Sequence, residues 1–254
     1  TPLVTPWGLP YPSGALPTST NDRGGLPPPL LLRMLEVVDL TCERGERSLF
    51  SGLNFAAPSG TLLRIAGPNG TGKTSLLRIL CGLLEPVSGE VRWHGRNVRK
   101  LREEYWRDLV YVGHMNGVKD DLTVRENLRV NAEVAGRPAS PDRLADAFAR
   151  VGLTGFEDRM ARFLSQGQRR RIALARLYVS ETAPLWILDE PFTALDVKGV
   201  AGLSALVGQH VRNGNTVALV THQEVPIDAP RRQRVEFAGG ASGATSSVEE
   251  EATC

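Results

Sequence analysis

The sequence predicts an α/β fold: alternating strands and helices around a mostly parallel sheet, with a helical subdomain inserted between strands. Three observations carry this expectation. An apolar strand, Thr61 to Ala66, runs through a glycine-rich turn straight into an amphipathic helix. A second apolar strand, Leu185 to Leu188, ends in the adjacent carboxylates Asp189 and Glu190. Between the two, roughly residues 115–165, the pattern turns helical.

Taken in order, residues 1–33 are rich in proline, glycine, serine and threonine, show neither period 2 nor period 3.6, and lack the basic and apolar regions of a signal peptide. They read as a disordered leader. Patterning begins at Met34, the first methionine, which reads as the natural start behind an over-extended reading frame. Met34 to Leu40 and Gly52 to Ala56 are strand candidates, and the turn Pro58-Ser59-Gly60 leads into Thr61 to Ala66. The helix after the glycine-rich turn is expected over Lys73 to Leu84, burying Leu76, Ile79, Leu80 and Leu83, with Gly82 and Pro86 ending it. Glu90 to Trp93 and Leu109 to Val112 are strands. Thr123 to Glu126 forms a capping box, and Ser140-Pro141 opens a helix with Leu144, Ala147, Phe148 and Val151 on one face. A helix from Gln168, the strand Pro184 to Leu188, a helix near Lys198 to Asn213 and the strand Thr216 to Val220 restore the α/β alternation. Beyond Pro230 patterning weakens, and residues 239–254 read as a mobile acidic tail.

The chemistry concentrates in three stretches. Gly67-Pro68-Asn69-Gly70-Thr71-Gly72-Lys73-Thr74, followed by Ser75, matches G-x-x-x-x-G-K-[ST] in full. Its glycines let the backbone N–H groups turn toward a polyphosphate at a helix N-terminus, Lys73 adds a point charge, and Thr74 offers a hydroxyl to Mg²⁺. Asp189 can hold that Mg²⁺ through its water shell, and Glu190 can orient or deprotonate an attacking water. Ser165-Gln166-Gly167-Gln168 places a capping serine at the start of another helix, whose free N–H groups form a second anion site.

With this signature stretch lying between the phosphate loop and Asp189-Glu190, the sequence resembles the ATP-binding-cassette (ABC) ATPases from Leu35 to about Arg231. The resemblance implies a P-loop NTPase core of the ABC type over residues 34–238, with an inserted helical subdomain and an N-terminal antiparallel β part. It implies ATP and Mg²⁺ as ligands, and a homodimer in which Ser165 to Gln168 close over the nucleotide held by the partner's phosphate loop. Asp196, in Ala194-Leu195-Asp196, matches the dimer-crossing loop, and His222 matches the switch histidine at the γ-phosphate. Two positions depart from the family pattern. His114 stands where most cassettes have glutamine, and the polar run Cys42 to Arg47 stands where an aromatic residue stacks on adenine.

Finer wording narrows the resemblance. Met34-Leu35-Glu36, Cys42-Glu43-Arg44, Leu49 to Leu53, Gly113-His114, Leu164 to Arg171, Trp186 to Asp196 and Thr221-His222-Gln223 together resemble the CcmA family. That family supplies the ATPase subunit of the haem exporter of cytochrome c maturation. It implies a peripheral protein on the cytoplasmic face of the bacterial inner membrane, working with integral membrane subunits. A transporter ATPase with another cargo, and a soluble cassette protein of translation or DNA repair, are the alternatives; one cassette and no long heptad run weigh against the last. His94, His114 and His210 form no haem-ligand motif.

Bulk properties narrow the field further. A formal charge of +2 over 254 residues gives no reason to invoke nucleic acid as the main partner, although Arg169 to Arg171 form a local basic cluster. Cys42, Cys81 and Cys254 are odd in number and widely spaced, which reads as reduced thiols in place of a disulfide framework. The longest apolar runs are far too short to span a bilayer, so a membrane role is expected to be peripheral or to run through a partner.

Overall fold

The computed structural model describes residues 34–237 and 246–251; the leader expected over 1–33, and residues 238–245 and 252–254, lie outside the described residues. Two sheets form the frame. The first is antiparallel, in the order β2-β1-β4-β5, from β1 (Met34–Arg44), β2 (Arg47–Pro58), β4 (Ser88–Trp93) and β5 (Arg96–Asn97). The second is built on β3 (Thr61–Ala66), β6 (Leu109–Val112), β7 (Leu185–Asp189), β8 (Thr216–Val220), β9 (Arg231–Phe237) and β10 (Ser246–Glu251), in the order β10-β9-β3-β8-β7-β6. Within it, β9, β3, β8, β7 and β6 are mutually parallel, and only β10 runs antiparallel.

All five residues of β7 and all five of β8 are buried, as continuous apolar runs require when both faces of a parallel sheet are covered. Alternation sorts their side chains between two cores. Leu185 and Ile187 face the antiparallel sheet and α1 (Lys73–Leu80). Trp186 and Leu188 face α6 (Gln166–Val179) and α7 (Val197–Arg212), where Leu174, Leu177, Leu203 and Val207 are buried. A third core lies under α4 (Val124–Val134) and α5 (Pro141–Arg150), where Leu128, Leu144 and Phe148 meet Ile172 and Ala175 of α6. Helix α6 therefore belongs to both the inserted helices and the sheet. Both predicted helix starts in this region form: Thr123 and Glu126 make a complete capping box, and Ser140 caps α5 through the Arg143 N–H.

Three expectations are corrected. Helix α1 ends at Leu80, four residues short, and Leu83 is 60% exposed. Gly82 takes φ 69°, with its N–H bonding to Ile79 O and that of Leu83 to Arg78 O, a left-handed cap that turns the chain away before Leu83 can reach the core. The weakly patterned stretch after Pro230 contains β9, parallel to β3, whose Gln233, Val235 and Phe237 are buried. Arginines at 231, 232 and 234 mask that period of two. Residues 246–251, expected within a mobile tail, form β10 beside β9, with Glu249 opposite Arg234 in the register. A sheet edge offers unpaired N–H and C=O groups that a returning segment satisfies.

Among the described residues no helix is long and apolar enough to cross a membrane.

Candidate functional site

Strand β3 delivers the glycine-rich loop to the N-terminus of α1. Gly67, Gly70 and Gly72 take φ values of 135°, 78° and 104°, which curl the loop beneath the first helical turn. Lys73 Nζ donates to Gly67 O at 2.7 Å and to Pro68 O at 2.8 Å, and Thr71 Oγ1 donates to Pro68 O at 2.9 Å. Burial lowers the Lys73 pKa from the ordinary lysine value, an effect opposed by the Glu190, Asp189 and Glu236 carboxylates. The loop is hemmed in below. A Cβ on Gly67 would lie 2.5 Å from Phe237 O, and one on Gly72 would lie 3.1 Å from Leu49 Cβ.

Strand β7 brings Asp189 and Glu190 to the same level, because parallel strands present their carboxyl ends together. Asp189 is buried, and its Oδ2 has no hydrogen-bond partner among the described residues. Glu190 turns out of the strand with φ 50°, a left-handed conformation uncommon outside glycine. Its Oε2 accepts from the His222 backbone N–H at 3.3 Å, while His222 Nε2 lies 3.4 Å from Oε1. Strand β8 positions His222 two residues past its end.

These groups share one cavity of about 410 Å³. Asn69, Gly70, Gly72, Lys73, Thr74 and Ser75 form one side, while His114, Asp189, Glu190 and His222 face them. The remaining phosphate-loop residues do not line it and instead brace the loop: Gly67 and Pro68 accept from Lys73, and Thr71 ties back to Pro68. A polyphosphate fits this lining, with backbone N–H groups and an ammonium on one side. The unpartnered, buried Asp189 Oδ2, with Thr74 on the same cavity, fits a hard divalent cation that takes few protein oxygens and completes its shell from phosphate and water.

Ser165 to Gln168 and Asp196 lie outside this cavity. Ser165 Oγ accepts from the Gln168 N–H at 3.2 Å, and Gln168 Oε1 accepts from the Ser165 N–H at 2.9 Å, a reciprocal cap on α6. Ser165 and Gln166 are exposed. Asp196 caps α7 through the Gly199 N–H at 2.8 Å and pairs with Arg171 at 3.0 Å. The first of these contacts, then the arginine, hold its carboxyl below the ordinary aspartate value.

Four residues of this neighbourhood were given no site role in the sequence reading. Arg44 and Leu49, from the β1–β2 hairpin, and Val220, at the end of β8, line the cavity. Arg170 is buried beneath it, its Nη2 donating to Asp189 O at 3.0 Å and Glu190 O at 2.8 Å. A signal for Arg170 was present: it stands three, four and seven residues before the buried Ala173, Leu174 and Leu177, so it occupies the apolar stripe of α6.

Comparison with known proteins agrees with this geometry. Residues 50–193 match the family described as ABC transporter. The chain is 50% identical over 203 residues to the cytochrome c biogenesis ATP-binding export protein CcmA of Nitrosospira multiformis, covering 80% of this chain and 98% of that one. It is 48% identical over 210 residues to CcmA 2 of Salmonella paratyphi A, covering 83% of this chain and all of that one. Among solved structures, an ATP-binding subunit of an ABC transporter superposes with a TM-score of 0.71 at 25% identity, covering 80% of this chain and 85% of that one. A dimeric bacterial ABC transporter cassette does so with a TM-score of 0.69 at 25% identity, covering 80% of this chain and 94% of that one. With a complete phosphate loop facing a strand-end carboxylate pair, and about half of the aligned residues shared with these relatives over nearly their full length, the chain belongs to the ABC ATPases, in the CcmA family of cytochrome c biogenesis ATP-binding export proteins.

Proposed function

We propose that this chain is the ATP-hydrolysing subunit of a haem-export complex for c-type cytochrome biogenesis, acting as a homodimer held to the cytoplasmic face of a bacterial inner membrane by integral membrane subunits. The observation that carries the reading is the convergence of Lys73, Asp189, Glu190 and His222 on one cavity, in a chain half identical to CcmA proteins. Lys73 neutralises phosphate charge once its ammonium leaves the loop carbonyls. Glu190 orients the attacking water and accepts its proton, and His222 holds the γ-phosphate side of the cavity. Thr74 and Asp189 would hold Mg²⁺, which would supply positive charge against the phosphates.

Dimerisation follows from the separation of the parts. Ser165 to Gln168 form a helix N-terminus, exposed at Ser165 and Gln166, outside the phosphate-loop cavity, so a two-fold pair in which each signature caps the other's nucleotide completes two equal sites. His114 joins the cavity to the exposed segment that follows it, on which we place the membrane subunits.

The test is genetic. A strand of evidence from cells lacking the gene is decisive: they should lose haem-stained c-type cytochromes, wild-type should restore them and Glu190→Gln should not. Normal c-type cytochromes in the deletion strain would refute the cytochrome assignment and leave an ABC ATPase of another export system.

A further inference from the structure

Arg170 is only 5% exposed, yet no carboxylate lies within ion-pair distance of it among the described residues. Its guanidinium is held by four oxygens instead. Nη1 donates to Gly113 O at 2.8 Å and to Asn116 Oδ1 at 3.2 Å, while Nη2 donates to Asp189 O at 3.0 Å and to Glu190 O at 2.8 Å. Burying a cation against neutral oxygens costs free energy that a leucine at the same place on the stripe would not. What it gains is geometry, because a guanidinium is a rigid planar fork with donors on two sides.

Each side of that fork grips a different functional segment. On one side is Glu190, whose φ of 50° is a conformation that persists only where surrounding contacts hold it. Both carbonyls flanking that kink point at Arg170, so the same contact that fixes the backbone also fixes where the carboxylate points. On the other side is the loop carrying His114, whose far end is pinned separately. Asn127, buried in α4, accepts from the Lys119 N–H at 2.7 Å and donates to Lys119 O at 3.0 Å. The loop from Gly113 to Lys119 is thus anchored at two points, one of which is also the anchor of the catalytic carboxylate.

We propose that Arg170 is the positioning residue that locks the Glu190 carboxylate to the 113–116 loop, so that displacement of the loop displaces the carboxylate. Arg170 does not line the cavity; it acts through the two backbone segments. A lysine keeps the charge but presents one nitrogen, which cannot span both segments. A glutamine is shorter and has two donors on a single nitrogen.

The proposal rests on Glu190 as the residue that acts on water, and the test separates the two. ATPase kinetics are measured on the full chain for wild-type, Glu190→Gln, Arg170→Lys, the double variant and Asn116→Ala, with melting temperature and MgATP affinity alongside. Arg170→Lys should lower kcat about 100-fold, the scale of a misplacement of about 1 Å, while KM for MgATP and binding affinity stay within about twofold. Combined with Glu190→Gln it should add almost nothing, because both changes remove the same function. Asn116→Ala, which takes away one oxygen from the loop side and leaves the core intact, should lower kcat about three- to tenfold at unchanged KM. Wild-type kcat in Arg170→Lys beside an inactive Glu190→Gln overturns the positioning role alone. Equal losses in kcat and MgATP affinity also overturn it, since they mark a general loss of the site. Full activity in Glu190→Gln removes the premise and the proposal together. Should Arg170→Lys fail to fold, Asn116→Ala decides, and wild-type kcat there overturns the proposal.

Discussion

The His222 backbone N–H donates to Glu190 Oε2 at 3.3 Å, so the residue that follows β8 by two positions holds the carboxylate that follows β7 by one. The contact ties the Glu190 carboxylate to a neighbouring strand and not merely to its own. It also separates two kinds of damage to the site, on the binding side and on the reacting side.

Lys73 and Glu190 should therefore fail differently. Lys73→Ala removes the ammonium proposed to neutralise phosphate charge in the ground state, so MgATP affinity should fall at least about tenfold. Glu190→Gln keeps the shape of the cavity and loses only the carboxylate charge, so nucleotide binding should persist, turnover should fall at least about 100-fold, and an ATP-bound dimer should accumulate on size exclusion. Wild-type turnover in Glu190→Gln would remove Glu190 from its proposed role.

Two glycines of the phosphate loop should differ in cost. An alanine at Gly67 must adopt φ 135° with its Cβ 2.5 Å from Phe237 O, whereas one at Gly70 adopts φ 78° with no atom within 4 Å. Gly70→Ala should lose about 1 kcal/mol, the cost of a left-handed residue, and Gly67→Ala about 3 kcal/mol or more, since β9 must move as well. Urea denaturation measures both, and equal losses would mean that the contact with Phe237 carries no energy.

His210 should make the protein acid-sensitive. Its ring is buried and stacked on Trp186 with centroids 3.6 Å apart and planes 9° from parallel. Burial pushes its pKa down to about 4, against the weaker opposing effect of the Ala183 backbone. The unfolded chain, near 6.5, takes up the proton first, so stability is unaffected above about pH 7 and declines as the pH falls toward 4. At pH 5 the loss should be about 2 kcal/mol. His210→Phe keeps a ring on Trp186 and should flatten this part of the urea-midpoint profile; an unchanged profile would assign the acid sensitivity elsewhere.

The segment after His114 should separate hydrolysis from export. Met115 is 85% exposed and Lys119 is also exposed, and neither side chain lines the nucleotide cavity. Met115→Glu and Lys119→Glu should leave ATPase activity of the purified chain within about twofold and abolish c-type cytochromes in cells. Full cytochrome maturation in both would move the membrane subunits to another face.

Much of the site was legible in sequence because its parts are local. The phosphate loop needs glycines, a lysine and a threonine at fixed spacing within eight residues, and the capping serine needs only the turn that follows it, so each motif carries its own geometry. The central strands were equally plain, since continuous apolar runs have few other places to go in a soluble α/β fold. Strand β9 was not, because its buried positions alternate with arginines whose cost disappears only when β3 supplies the parallel partner. Leu83 has the right helical spacing for burial, but the left-handed turn at Gly82 ends the periodicity before it. Arg170 is the sharpest case. The sequence determined a basic cluster on an amphipathic helix, while the inward direction of its middle member depends on the carbonyls of Asp189 and Glu190, where β7 ends, and of Gly113, just past β6, some 20 and 57 residues away along the chain. Sequence fixes what a segment of a few residues can do by itself; only the packed fold decides which distant backbone groups meet a buried charge, because hydrogen bonds of that kind are made after the strands have registered.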